Sequence, residues 1–184
     1  MGSGSAREPV VIRDSRDEDL AAITRIYAHW VAHGFGSFEL APPDDAEMAR
    51  RRVSLLAAGY PYFVAECGGA VIGYAYAGPY RPRPAYRFSC ENSIYVSPHA
   101  ARKGAGRALL SALIGRCEAQ GFRLMIAVIG DSGNAASIGL HAAMGFAPAG
   151  LLPAIGWKHG RWVDTVLMTR ALGDGSAAAP PGQD

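Results

Sequence analysis

The run Ile94-Tyr95-Val96-Ser97-Pro98-His99-Ala100-Ala101-Arg102-Lys103-Gly104-Ala105-Gly106-Arg107 organises the reading of the whole chain. It starts as a strand, passes through a loop of mostly small residues, and opens an amphipathic helix at Gly104. The first N–H groups of a helix have no partner inside it and carry the positive end of its dipole, so this junction favours an anion, most often a phosphate. Gly104 and Gly106 would let such a group approach the backbone closely. No Gly-Lys-Ser/Thr follows, which removes the Walker reading, and Leu109 stands where a dinucleotide fingerprint needs its third glycine. Spacing alone leaves two readings open, a glycine-bearing turn before a surface helix and a cradle for the pyrophosphate of a nucleotide cofactor.

Upstream, residues 87 to 96 alternate. Arg87, Ser89, Glu91, Ser93 and Tyr95 fall on one face, and Phe88, Cys90, Ile94 and Val96 on a mostly apolar other. This strand lines something polar. Before it, Tyr62–Cys67 and Ala70–Ala77 are strand-like runs joined by Gly68-Gly69, a tight hairpin turn. Val10–Arg13 reads as a first strand. Ser15 with Glu18 forms a capping-box pattern for a helix carrying Leu20, Ile23, Ile26, Tyr27 and Trp30, and Asp44 with Glu47 caps a second helix ending near Gly59. The irregular stretch Gly34–Pro43 between those helices is a candidate binding loop, and Arg50-Arg51-Arg52 reads as the wet face of the second helix. Downstream, a helix from about Gly104 to Gln120 carries the stripe Leu109, Leu110, Leu113, Ile114 and Cys117, then come a strand Arg123–Ile129, a short helix Asn134–Met144 and a last strand Arg161–Ala171. The order β-α-α-β-β-β-α-β-α-β predicts an α+β fold, a mixed sheet with helices packed on its faces.

The 184 residues fit one domain. Residues 1–9 are expected to be a flexible leader, 10–172 a single domain, and the Pro/Gly/Ala-rich 173–184 a disordered tail. No apolar run approaches the ~20 residues of a membrane span, and no signal-peptide pattern is present, so the chain is expected in the cytoplasm with no membrane partner. A net charge of +2 is too small for a dedicated nucleic-acid binder. The three cysteines form no C-x-x-C pair, so no metal site and no disulfide framework is expected. Gly130-Asp131-Ser132-Gly133 resembles the nucleophile segment of trypsin-like proteases, but it joins a strand to a short helix in a chain that is not all-β. Cys90 points away from Glu91 and reads as a buried hydrophobe.

From about Val10 to Leu172 the chain resembles the GNAT superfamily of acyl-CoA-dependent N-acyltransferases, whose mostly antiparallel sheet has helices on both faces. Tyr86–Val96, Ser132–His141 and Gly156–Asp164 are together similar to the branch that contains phosphinothricin and methionine sulfone/sulfoximine acetyltransferases. The resemblance implies acetyl-CoA as cosubstrate, with Ile94, Tyr95, Val96, Arg102, Lys103, Gly104, Ala105, Gly106, Arg107, Asn134 and Ser137 as its binding residues. Ala101 stands where Gln or Arg is usual, which is expected to weaken coenzyme A binding rather than abolish it. The same resemblance makes Glu91 the general base acting through water. It makes His141 either the acid for the departing thiolate, where many relatives carry tyrosine, or an orienting residue.

Arg81 and Arg87 match arginines of the branch and would hold a substrate carboxylate, with Phe35 and Phe38 forming an apolar wall; relatives commonly carry threonines near the positions of Gly34 and Phe35. The expected substrate is therefore a small-molecule amine, an amino acid or analogue with a compact side chain, and a homodimer is implied by relatives. Two rivals remain: a protein-lysine or polyamine acetyltransferase, which needs no arginine for a free carboxylate, and a non-catalytic acyl-CoA sensor, which would bind without releasing the thiol.

Overall fold

The computed structural model describes residues 8–100 and 103–180. Seven strands form one sheet in the order β1-β2-β3-β4-β5-β7-β6, with β1 Val11–Asp14, β2 Tyr62–Cys67, β3 Ala70–Pro79, β4 Ser89–Val96, β5 Leu124–Gly130, β6 Ala147–Lys158 and β7 Arg161–Ala171. The pair β4–β5 is parallel and every other neighbouring pair is antiparallel. Four helices accompany it, α1 Leu20–His33, α2 Asp45–Ala57, α3 Ala105–Ala119 and α4 Ala135–Ala143.

The two-residue period of the strands divides the molecule into two cores. Tyr62, Val64 and Tyr74 meet Ile23, Ile26, Tyr27 and Val31 of α1 and Met48 of α2 on one face. Phe63, Ala65, Ala75, Ala77, Cys90 and Met125 meet Leu109, Leu110, Leu113, Ile114 and Cys117 of α3 on the other. Gly68 and Gly69 both take positive φ, +60° and +74°, as a two-residue hairpin between right-twisted strands requires. The Cys90 thiol is pushed well up by its hydrogen bond with Cys117 and by burial, as befits an inert core residue. No helix among the described residues is long and apolar enough to cross a membrane.

Five expectations need correction. The strand β6, Ala147–Lys158, was not anticipated: it lies on the sheet edge, is exposed along nearly its whole length, contains Pro148 and Pro153, and has two register shifts against β7, so no alternation of apolar residues marks it. Ser15 does not cap the first helix; its hydroxyl accepts from Arg52 Nε at 2.8 Å, and Asp19 Oδ2 accepts from Arg16 N–H at 2.7 Å instead. Arg52 is no wet-face residue, being 6% exposed and bonded to Ser15 and Asp17. Arg87 lies outside β4, after a short 3-10 turn at Pro84–Tyr86, so it does not share a strand face with Glu91. Residues 173–180, read as part of a disordered tail, turn back on the domain, where Arg123 pairs with Asp174 at 3.2 Å and donates to Ala179 O at 3.2 Å. The expected cap on α2 forms, Asp44 Oδ1 accepting from Glu47 N–H at 2.8 Å.

Arg13 joins β1 to the start of α1. It donates through both terminal nitrogens to Asp19, at 2.7 and 2.8 Å, and through Nε to Glu66 on β2 at 2.9 Å. Asp19 is 4% exposed and its carboxyl is held below the ordinary carboxylate range by the Arg13 bond. Asp19→Asn is expected to lose about 1.5–3 kcal/mol at neutral pH, read as a lower urea midpoint. The lost contribution is present above the unfolded-chain value of about 3.9 and disappears as pH falls through the lower folded value, so variant and wild type should converge in strong acid.

Candidate active site

The site arises where two parallel strands part. The β4–β5 ladder runs from Ser89↔Leu124 to Asn92↔Ala127 and ends there, although β4 continues to Val96 and β5 to Gly130. On the other side β4 stays paired with β3 as far as Val96↔Gly73. Ser97 N–H donates to Ile72 O and Phe88 O accepts from Arg123 N–H, so odd-numbered residues of β4 bond to β3 and even-numbered ones turn their peptide groups toward β5. Ile94 and Val96 therefore present backbone groups to the opening. The Val96 carbonyl accepts from Trp30 Nε1 at 2.8 Å, which leaves the Val96 N–H directed into the gap.

That opening is a cavity of about 460 Å³. Its walls bring together the predicted Ile94, Tyr95, Val96, Gly106, Asn134, Ser137 and His141, and its far end is closed by Gly34, Phe35 and Gly36 from the α1–α2 loop. Gly104 is the N-cap of α3 with φ +81°, and a Cβ at Gly106 would lie 3.4 Å from Leu140 and 3.7 Å from Val96, on the cavity wall. The helix N-terminus thus points bare N–H groups past two glycines at the cavity mouth. Ala105 is buried at the start of α3 while Lys103 and Arg107 are exposed beside it. Arg102, and Ala101 with it, lie outside the described residues.

His141 is 4% exposed. Its Nε2 lies 3.0 Å from Asn92 Oδ1 and its Nδ1 lies 2.8 Å from Ser137 O. Asn92 Nδ2 donates to Ile126 O at 3.1 Å, which turns the amide oxygen toward the imidazole. Both ring nitrogens therefore face acceptors, an arrangement that an imidazolium satisfies on both sides. Burial acts in the opposite direction and lowers the histidine's pKa, with the Ser137 carbonyl opposing.

Glu91 lies on the opposite face of β4, half-buried. It lines a second cavity of about 530 Å³ together with Ser93, Tyr76, Gly78, Leu55 and, from α2, Arg50 and Arg51. Ser93 borders both cavities, so the two meet at one residue of β4. Burial pushes the Glu91 carboxyl above its ordinary value, and the Arg81 guanidinium opposes that shift. A carboxyl of raised pKa therefore stands beside the residue at which the two cavities meet.

Arg81 and Arg87, assigned from sequence to substrate binding, line neither cavity; Arg87 lies over the Phe88 ring and donates to Pro84 O at 3.2 Å. Phe35 lines the cavity between β4 and β5, whereas Phe38 is wedged against Gly156 and Gly130. Sequence reading missed Trp30, Tyr76, Asn92, Arg50 and Arg51. Only Asn92 left a signal, as the polar residue on the otherwise apolar face of β4, because the remaining residues reach the site through helix packing and strand register.

Holding Glu91 charged in this pocket opposes folding. A folded-state pKa above the unfolded one means the native state gains stability at acid pH and loses it as pH rises and the carboxyl ionises. Glu91→Gln is thus expected to melt higher than wild type at pH 7, by about 2–4 °C per kcal/mol relieved in a domain of this size, with the difference vanishing below pH 4. A variant that melts lower at pH 7 would remove the desolvation argument.

The comparisons agree with this geometry. The model of the acetyltransferase (GNAT) family matches residues 15–146. A phosphinothricin N-acetyltransferase of Alcaligenes faecalis is 54% identical over 180 residues, covering 98% of this chain and 91% of its own length. An L-methionine sulfoximine/L-methionine sulfone acetyltransferase of Pseudomonas aeruginosa is 41% identical over 170 residues, covering 92% and 98%. Among solved structures, a phosphinothricin acetyltransferase from Sinorhizobium meliloti in complex with acetyl-CoA superposes with a TM-score of 0.92 at 52% identity, covering 95% of this chain and 94% of that one. The parted strands, the bare helix N-terminus and the matched sequence lead to one family: this chain belongs to the GNAT acetyltransferases.

Proposed function

We propose that this chain transfers the acetyl group of acetyl-CoA to the α-amine of a small amino acid or amino-acid analogue, of the phosphinothricin or methionine sulfoximine/sulfone type, with both substrates bound together. The observation that carries the reading is the meeting of two cavities at Ser93, one between β4 and β5 and the other holding Glu91. The pantetheine arm would complete the interrupted ladder against Ile94 and Val96, the pyrophosphate would take the N-terminus of α3, and Asn134 and Ser137 would flank the arm. Related proteins named for these substrates, and one crystallised with acetyl-CoA, support the choice of donor and acceptor.

The chemistry needs little more than positioning and a modest base. An α-ammonium group titrates near 8, and the raised carboxyl of Glu91 narrows the gap to it, so removing the proton near neutral pH is a small step. The free amine attacks the thioester carbonyl, whose oxygen gathers charge toward the Val96 N–H. The new C–N bond leaves the nitrogen cationic; as the C–S bond breaks the nitrogen gives up its second proton and the thiolate takes one up, so that amide and thiol both leave neutral. Thiols ionise near 8.5, so the leaving group needs little help; His141, on the cavity wall, supplies it or holds Asn92 in place. Arg81, whose charge already reaches Glu91, is assigned the substrate carboxylate, since Arg87 is turned onto Phe88. Phe35 forms the apolar wall.

The protein is further assigned to the cytoplasm as a homodimer. Support for pairing is the exposed apolar edge of Leu151, Leu152, Ile155, Trp157 and Trp162, the last two in edge contact at 5.3 Å.

Thiol release with an amino acid and with its decarboxylated amine tests this reading. Arg81→Ala should raise KM for the amino acid roughly 10- to 150-fold, the worth of a charged hydrogen bond, and leave the decarboxylated amine nearly unchanged at pH above the acid limb. Within that limb, the variant's profile should move to higher pH, because Arg81 holds the Glu91 carboxyl down. Glu91→Gln should lower kcat at pH 7 at least ~10²-fold and recover at alkaline pH. A wild type that prefers the decarboxylated amine would turn the assignment toward lysine or polyamine substrates.

A further inference from the structure

The segment Gly156-Trp157-Lys158-His159-Gly160-Arg161-Trp162-Val163-Asp164 has no part in the chemistry above, yet it converges on the α1–α2 loop. Lys158 is 2% exposed, and its ammonium donates to Ser37 O at 2.7 Å. Gly156 has no room for a side chain, because a Cβ there would overlap the Phe38 ring, and a Cβ at Gly130 would overlap Phe35 O. The Arg161 guanidinium lies 3.9 Å from the centroid of the Phe35 ring while donating to Asp131 at 2.6 Å, and His159 meets the same ring edge-on at 5.4 Å. From the helical side, the Tyr27 hydroxyl donates to Glu39 and shares a hydrogen bond with the Ser37 hydroxyl, each at 2.9 Å, and Arg51 pairs with Glu39. Residues 35–38 are therefore gripped from β5, β6, β7 and α1 at once, and Gly34–Gly36 of the same loop line the cavity between β4 and β5.

A buried ammonium with a main-chain carbonyl as its partner is expensive compared with a methylene chain of the same length. Its use here has a geometric return, since it fixes one carbonyl of a loop that has neither helix nor strand to hold it. We propose that Lys158 is a positioning residue for the amine site: with Arg161 and the space left by Gly156, it clamps residues 35–38 to the β6–β7 hairpin and so sets the apolar wall that sorts amine side chains. The proposal rests on the acetyltransfer reading only in placing the amine beside Phe35.

The test uses the full chain and whichever amine from a broad panel wild type acetylates fastest. Lys158→Met should raise KM for that amine at least ~10-fold with kcat within ~3-fold and KM for acetyl-CoA within ~2-fold. Gly156→Ala, which displaces Phe38 without touching any charge, should give the same split. Amide hydrogen exchange at residues 35–38 should speed up at least ~10-fold in both variants while α1 stays protected. Unchanged exchange in both variants overturns the clamp; faster exchange with an unchanged amine KM, or an equal rise in both KM values, overturns its role in amine selection. A best amine that is not an amino acid would refute the substrate assignment and leave this split readable, and exchange reads the clamp even where no amine is turned over.

Discussion

Two parallel strands that share only four paired positions open the gap on which the candidate site of this molecule depends. Had β4 and β5 stayed paired to their ends, the peptide groups of Ile94 and Val96 would be satisfied within the sheet, and the cavity of about 460 Å³ would not exist. An unpaired strand edge facing inward is costly unless something bonds to it. The remainder of the fold tolerates the gap: β3 holds β4 on its outer side, β7 holds β5 along its full length, and α3 and α4 stand at the two ends of the opening. The gap thus leaves room for an extended ligand arm as a surrogate strand, and the strand period places Glu91 on the face opposite Asn92 and His141.

That division of faces explains why one strand can serve two substrates. Even-numbered side chains of β4 turn toward α3 and α4, where Asn92 and His141 bond to one another, and odd-numbered ones turn toward α1 and α2, where Glu91 is desolvated beside Tyr76 and Ser93. The raised carboxyl and the lowered imidazole both follow from burial; the first costs the native state stability at neutral pH, and the second does so as pH falls below the histidine's ordinary range. Such costs are common where a group is kept for chemistry rather than for folding.

Features set by local rules were legible in the sequence. The Gly68-Gly69 hairpin, the Asp44 cap, the α3 stripe and the polar face of β4 all follow from period, capping and turn chemistry, and the structure has each of them. Reading failed where a residue's role depends on what packs against it. β6 is an edge strand without alternation and left no periodic trace. Arg87 aligns with Glu91 only if β4 starts two residues before Ser89, and Arg52 sits within a run of arginines that reads as surface charge although it is bonded to the turn before α1. Lys158 gave no hint of burial, because its partner is a carbonyl 121 residues away in sequence.

The most direct test of this account is amide hydrogen exchange along β4, measured with and without saturating acetyl-CoA. Ile94 and Val96 turn their N–H groups into the opening and should gain protection of at least ~10-fold on binding, while Ser93 and Tyr95, already bonded to β3, should change little. Equal protection of odd and even residues, or none at Ile94 and Val96, would contradict the claim that the parted strands are the acyl-donor site.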